Sequence, residues 1–126
     1  MRIYLAVAAG GALGAVCRYS FTAVIQPLFQ PGFPVGTLAA NVVGSFLMGA
    51  LVEVLALVWS PSEAMRAFLV VGMLGAFTTF SAFSMEAVGL IQQGAVGAAV
   101  VYIVASVFLS LAGVFGGMRL FRVAFS

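Results

Sequence analysis

Lysine, aspartate and histidine are absent from this chain of 126 residues, and its charge consists of five arginines and three glutamates, 6% of the sequence against 64% hydrophobic residues. Without those three residue types, most general acid–base and nucleophile–base arrangements cannot be assembled, so the chain is not expected to be an enzyme. A single cysteine, Cys17, excludes an intrachain disulfide and a cysteine-based metal cluster; a small, buried apolar side chain is its expected role. The net charge of +2 comes from scattered arginines that form no basic patch, so nucleic acid is not an expected partner. So little charge in so apolar a chain belongs in a lipid bilayer.

Four apolar segments are present, residues 3–25, 35–58, 64–91 and 96–120, each at least 23 residues long. As helices they suffice to cross a hydrocarbon core of about 30 Å. The breaks carry turn and capping residues: Gln26-Pro27 through Pro31-Gly32-Phe33-Pro34, then Ser60-Pro61-Ser62-Glu63, then Gln92-Gln93-Gly94. The first run is longer than the apolar region of a signal peptide and is read as retained. The expectation is an all-α membrane protein, residues 1–126 forming one four-helix transmembrane unit. An even number of crossings puts both termini on one side, together with Arg2, Arg66, Arg119 and Arg122; the opposite side has only Arg18 within reach. By the positive-inside rule this favours cytoplasmic termini. Small residues at Gly10 and Gly14, Ala40 and Gly44, Gly72 and Gly75, and Gly113 and Gly117 favour close helix contact. They exceed what a four-helix monomer is expected to use, so oligomerisation is expected.

The third segment contains an anomaly. From Gly75 to Ser84 it reads Gly-Ala-Phe-Thr-Thr-Phe-Ser-Ala-Phe-Ser, three rings and four hydroxyls at membrane depth. Such groups are tolerated where they pack against protein or line a polar path. Phe77, Phe80 and Phe83 recur every three residues, with Thr78, Ser81 and Ser84 one position over. Ring edges carry partial positive charge and attract a small anion weakly; plain core packing is the other reading. Gly72, Gly75 and the Thr78-Thr79 pair weaken the helix, and a break there would free carbonyls to be met by a small cation, by water or by a neighbouring hydroxyl.

Polar groups on the other helices reach similar depths. Arg18 and Asn41 each lie roughly 10 Å below the same surface, at ~1.5 Å per residue. Both donate hydrogen bonds, so either could strip water from an anion; Arg18 could equally tie down carbonyls, and Asn41 bridge two helices. Tyr102, Ser106 and Ser110 share one face at i, i+4 and i+8, a candidate polar track, and Thr37, Asn41 and Ser45 repeat that spacing. Serines in such helices also bond back to their own carbonyls. Glu53 and Glu86 fall toward helix ends and Glu63 in a loop, so no carboxylate occupies the midplane, where a proton-coupled exporter needs one.

Taken together, Gly10-Gly11-Ala12-Leu13-Gly14-Ala15 leading to Arg18-Tyr19, Gly36-Thr37-Leu38 with Asn41 and Gly44-Ser45-Phe46-Leu47, and Gly72 through Phe83 resemble the Fluc (CrcB-type) fluoride channels over nearly the whole chain. The resemblance implies a passive, fluoride-selective channel in the inner (plasma) membrane of a bacterium. It implies four-helix subunits, the third helix broken near its middle, paired as an antiparallel, dual-topology homodimer with two pores along the interface and a structural Na+ at its centre. By position it makes Asn41, Phe80, Phe83, Ser81, Tyr102, Ser106 and Ser110 the fluoride pathway. Arg18, Thr37 and Thr79 become entrance or structural residues, and the carbonyls of Gly75 and Thr78 would hold the sodium. The family pattern usually has Thr where this chain has Ala82, a missing hydroxyl beside the rings. The rival readings are a small dual-topology proton-coupled drug or cation exporter and a non-transporting assembly subunit.

Overall fold

The computed structural model describes residues 1–126 and is entirely helical. In order along the chain are α1 (Arg2–Ile25), a 3-10 turn (Gln26–Leu28), α2 (Val35–Leu57), α3 (Glu63–Arg66), a π-helical stretch (Ala67–Leu74), α4 (Gly75–Phe77), α5 (Phe80–Gln92) and α6 (Val96–Phe125). The pieces from α3 to α5 form one span, so four spans are long and apolar enough to cross a membrane: Arg2–Leu28, Val35–Leu57, Glu63–Gln92 and Val96–Phe125. The chain is an all-helical, multi-pass membrane protein.

Local chemistry explains the boundaries. Ser62 caps α3 by accepting from the Met65 N–H at 3.2 Å, with Glu63 in the first turn and Arg66 in the last, as the helix dipole favours. The Pro-rich turn is closed by Gln26, whose Nε2 donates to the Phe33 carbonyl at 2.8 Å while its Oε1 accepts from Gly36 N–H at 2.8 Å. Gly94 takes the positive φ of 84° that lets α5 reverse into α6. α6 continues to Phe125, five residues past its expected end. Its last turn is held by a Phe121–Phe125 ring contact at 5.8 Å and by Arg122, which finds a partner on α2.

Only 18 of the 126 residues are buried, so cohesion does not come from a thick apolar core. In lipid, helices associate by close backbone approach. A Cβ on Gly72 would sit 2.9 Å from Gly10 Cα, and one on Gly14 would collide with the Met73 carbonyl, so α1 rides directly on the third span. A Cβ on Gly117 would strike the Phe46 carbonyl, and the same closeness joins α2 to α6. Most of the small residues counted toward oligomerisation are thus used inside one chain. Gly75 is the exception: it is exposed, and a Cβ there would come no nearer than 3.5 Å to Val70 O. Cys17, expected to be buried, is exposed on the outside of α1. A thiol is apolar enough to face hydrocarbon, so in a membrane helix its hydrophobicity does not require burial.

One ion pair joins α2 to α6. Glu53, 2% exposed, accepts from Arg122 Nη2 at 3.0 Å and from Nε at 3.4 Å. The arginine is mostly exposed, so the buried carboxylate is the partner that suffers if the pair is broken. Arg122→Leu should lower stability by about 2 kcal/mol in detergent unfolding. Adding Glu53→Leu should recover most of that loss, and a double variant weaker than the single would show that the pair contributes more than charge compensation.

Candidate functional site: a groove at the helix break

Thr78 and Thr79 interrupt the third span with extended backbone, φ −86° and ψ 156° at the first, φ −150° and ψ 116° at the second. Asn41 on α2 reaches across and meets both polar groups of Thr79: its Oδ1 accepts from the Thr79 N–H at 2.7 Å and its Nδ2 donates to the Thr79 carbonyl at 3.0 Å. The Thr79 side chain then caps α5, its Oγ1 accepting from the Ala82 N–H at 3.1 Å. The cap uses only the backbone of residue 82, so the Ala there does not impair it. Gly44 lets the break lie on α2, since a Cβ at that position would collide with the Thr78 methyl group.

These partners redirect two helical hydrogen bonds. In an unbroken helix the Thr79 N–H would serve the Gly75 carbonyl and the Ala82 N–H the Thr78 carbonyl; here they go to Asn41 and to Thr79 Oγ1. No side chain donates to the Gly75 or Thr78 carbonyl, whereas Arg18 Nε donates to Ala76 O at 3.2 Å. With Ala76 O taken by Arg18, the carbonyls of Gly75, Phe77 and Thr78 are left as acceptors at membrane depth, and those of Gly75 and Thr78 are hard oxygen donors of the type that suits a small cation such as Na+.

The break also splits the phenylalanine row. Phe77, on the α4 side, turns to α1 and meets Phe21 edge-on at 5.5 Å. Phe80 and Phe83, on the α5 side, stay together at 5.3 Å, Phe83 meets Tyr102 at 5.3 Å, and Tyr102 meets Phe33 edge-on at 5.6 Å. Three-residue spacing does not keep three rings on one face when extended residues intervene. Phe33, from the Pro-rich turn, is a member of this aromatic series that the spacing of α5 and α6 does not reveal.

Beside the break lies a groove of about 380 Å³, open on one side. Asn41 and Ser45 of α2, the Thr78-Thr79 break, Phe80 and Phe83 of α5, and Ser106 and Ser110 of α6 line it, with Met48, Val107, Leu111 and Val114 supplying apolar wall. Phe83 is buried while Phe80 is 77% exposed at the open edge. The Ser106 hydroxyl is buried with no hydrogen-bond partner, a costly state that a ligand or water would relieve. Asn41 retains one of its two Nδ2 hydrogens, since the amide carries two and Thr79 takes one. Of the other hydroxyls, Thr78 and Ser84 bond back to the carbonyls of Leu74 and Phe80, and Ser81, exposed, lies 3.4 Å from Thr79 Oγ1 outside the groove lining.

Tyr102 and Thr37 sit outside the groove and converge on a residue not singled out by sequence, Glu86. Tyr102 Oη donates to Glu86 Oε1 at 2.9 Å and Thr37 Oγ1 to Oε2 at 3.0 Å. Glu86 also borders a second recess of about 370 Å³, together with Gln26, Phe33 and Gln93. Its position three residues after Phe83, on the same side of α5, is the sequence signal for it, which midplane depth alone does not reveal. Arg18 is a partner of the break through Ala76 and does not line the groove.

These features define a small four-span membrane protein with a largely apolar groove at bilayer depth that carries two rings, several hydroxyls and an amide. Residues 5–118 match the family described as CrcB-like protein, Camphor Resistance (CrcB), and the chain belongs to this family of Fluc (CrcB-type) proteins. Among its relatives are proteins named fluoride-specific ion channel FluC. That of Rhodospirillum centenum is 48% identical over 124 residues, covering 98% of each chain. That of Agrobacterium fabrum is 52% identical over 119 residues, covering 94% of this chain and 95% of its own. That of Cereibacter sphaeroides is 54% identical over 118 residues, covering 94% and 93%.

Replacing Asn41 removes both hydrogen bonds that hold Thr79 open. Asn41→Ala should accelerate hydrogen exchange of the Thr79 amide by about tenfold, the equivalent of ~1.4 kcal/mol. An unchanged rate would mean that the break is held by packing alone.

Proposed function

We propose that this chain forms a passive, fluoride-selective channel of the bacterial plasma membrane, working as an antiparallel homodimer with two pores along the interface and exporting fluoride from the cytoplasm. The observation that carries the reading is the groove's chemistry: two phenylalanine rings, hydroxyls and an amide N–H set in a largely apolar wall, with no carboxylate among its lining. Fluoride is small and strongly hydrated, so it passes only where fixed donors replace the water it sheds. The spare Asn41 N–H, the unpartnered Ser106 hydroxyl and Ser110 supply donors, and the edges of Phe80 and Phe83 supply weak positive charge without tight binding. Ions then move between several sites of moderate strength, the condition for conduction. Thr37 and Tyr102 stand beside this path with their hydroxyls donated to Glu86, and Ser81 and Thr79 stand at its rim.

The shape of the groove supports the dimer: a second copy would supply its missing wall and cover the exposed Phe80. Four identical carbonyls, Gly75 and Thr78 from each subunit, would hold a Na+ at the dimer centre, where its charge stabilises the facing helix breaks. The arginine asymmetry that favours one orientation rests on only five residues. A proton-coupled exporter is disfavoured by the same groove: its nearest acidic neighbour, Glu86, is committed to Tyr102 and Thr37 and borders a different recess.

Fluoride efflux from liposomes containing the purified protein, followed with a fluoride electrode, tests the reading. Fluoride should leave at least a hundredfold faster than chloride, and equal rates would overturn the assignment. Phe80→Ile should slow fluoride efflux by about tenfold, corresponding to ~1.4 kcal/mol on the barrier, if ring edges line the path. An unchanged rate would reduce the ring to packing.

A further inference from the structure

Arg18 is the least explained charge in the protein. It sits within α1 roughly 10 Å below the surface, half-buried, and its Nε donates to Ala76 O at 3.2 Å. A guanidinium at this depth is expensive and is expected to have a task. It lines neither the groove nor the recess beside Glu86.

Its carbonyl partner indicates the task. Ala76 lies between Gly75 and Thr78, whose carbonyls lose their helical donors at the break, and its own carbonyl loses one there too. In a continuous helix Ala76 O would accept from Phe80 N–H, the amide of the ring residue at the groove's edge. Asn41 holds the C-terminal side of the break through Thr79, and Arg18 holds the N-terminal side through Ala76, from a different helix. The neighbouring turns of α1 reinforce that grip: Gly14 approaches Met73 O and Ala76 Cβ, and Phe21 packs edge-on against Phe77 at 5.5 Å.

We propose that Arg18 is a positioning residue for permeation, which by occupying the Ala76 carbonyl keeps the third span from rewinding and so fixes where the Gly75 and Thr78 carbonyls and the Phe80 ring point. This rests on the channel reading, and adds that the pore's geometry is set by two clamps on opposite sides of the break. A charged donor suits the role, because its hydrogen bond to a carbonyl at low dielectric is stronger than a neutral one. Arg18 touches no permeating ion; it acts through the backbone.

The test compares Arg18→Met, Arg18→Gln and Arg18→Lys with the unaltered protein by two measurements. One is hydrogen exchange of the segment from Gly75 to Ala82 in the folded, detergent-solubilised protein. The other is the ratio of fluoride to chloride efflux from liposomes. Arg18→Met should exchange at least threefold faster across that segment and lose at least tenfold in selectivity, while Arg18→Lys, which can still donate to Ala76, should recover both to within about threefold. If Arg18→Met does not fold, Arg18→Gln, a neutral donor of shorter reach, takes its place with the same expected direction. Unchanged exchange in a folded variant overturns the clamp, and faster exchange with unchanged selectivity overturns its role in permeation. If the unaltered protein passes no fluoride, the channel reading fails, and the exchange measurement still decides whether Arg18 holds the break.

Discussion

The break in the third span, and the groove beside it, depend first on the two hydrogen bonds between Asn41 and the backbone of Thr79. A helix in lipid normally satisfies all its own backbone groups, because no water is there to do so. Breaking one is tolerated only where other groups replace the lost partners. Asn41 does this with a single side chain, since a carboxamide offers a donor and an acceptor in the geometry of a peptide. Once Thr79 is held out of the helix, its hydroxyl caps α5, Phe80 and Phe83 rotate away from Phe77, and carbonyls become available as acceptors.

The remaining packing serves that break. Gly10, Gly14 and Gly72 let α1 lie against the third span closely enough for Arg18 to reach Ala76. Gly44 makes room for Thr78 on α2, and the glycines between α2 and α6 bring the serines of α6 to the groove's other wall. Small residues that at first suggest contact between subunits are mostly spent within one chain. The proposed pairing rests instead on the open groove, with a mostly exposed ring at its edge and an unpartnered hydroxyl inside.

Two buried or half-buried carboxylates illustrate opposite solutions to charge in a membrane protein. Glu53 is neutralised by an arginine reaching in from the helix end, and ties α6 to α2. Glu86 has no cation and is instead satisfied by two hydroxyls, from Thr37 and Tyr102, which orient it beside the outer recess. The first arrangement ties two helices together; the second joins three.

Much was legible in the sequence because the bilayer imposes so few choices. Run length marked the four spans, the Pro and Gly clusters marked the turns, and the density of Phe, Thr and Ser in the third segment marked the place to look. Those signals are local, and they rest on the energetics of single groups in hydrocarbon. The convergence of Thr37, Tyr102 and Glu86, the parting of Phe77 from Phe80 and Phe83, the exposure of Cys17 and the attachment of Arg18 to Ala76 were not legible. Each depends on how one helix is rotated against another, and periodicity cannot give that once extended residues reset the phase within a span. Sequence alone determined that this chain crosses a membrane and carries polar groups where lipid disfavours them; the tertiary structure decided which of those groups face a common groove, because only packing sets the direction in which each points.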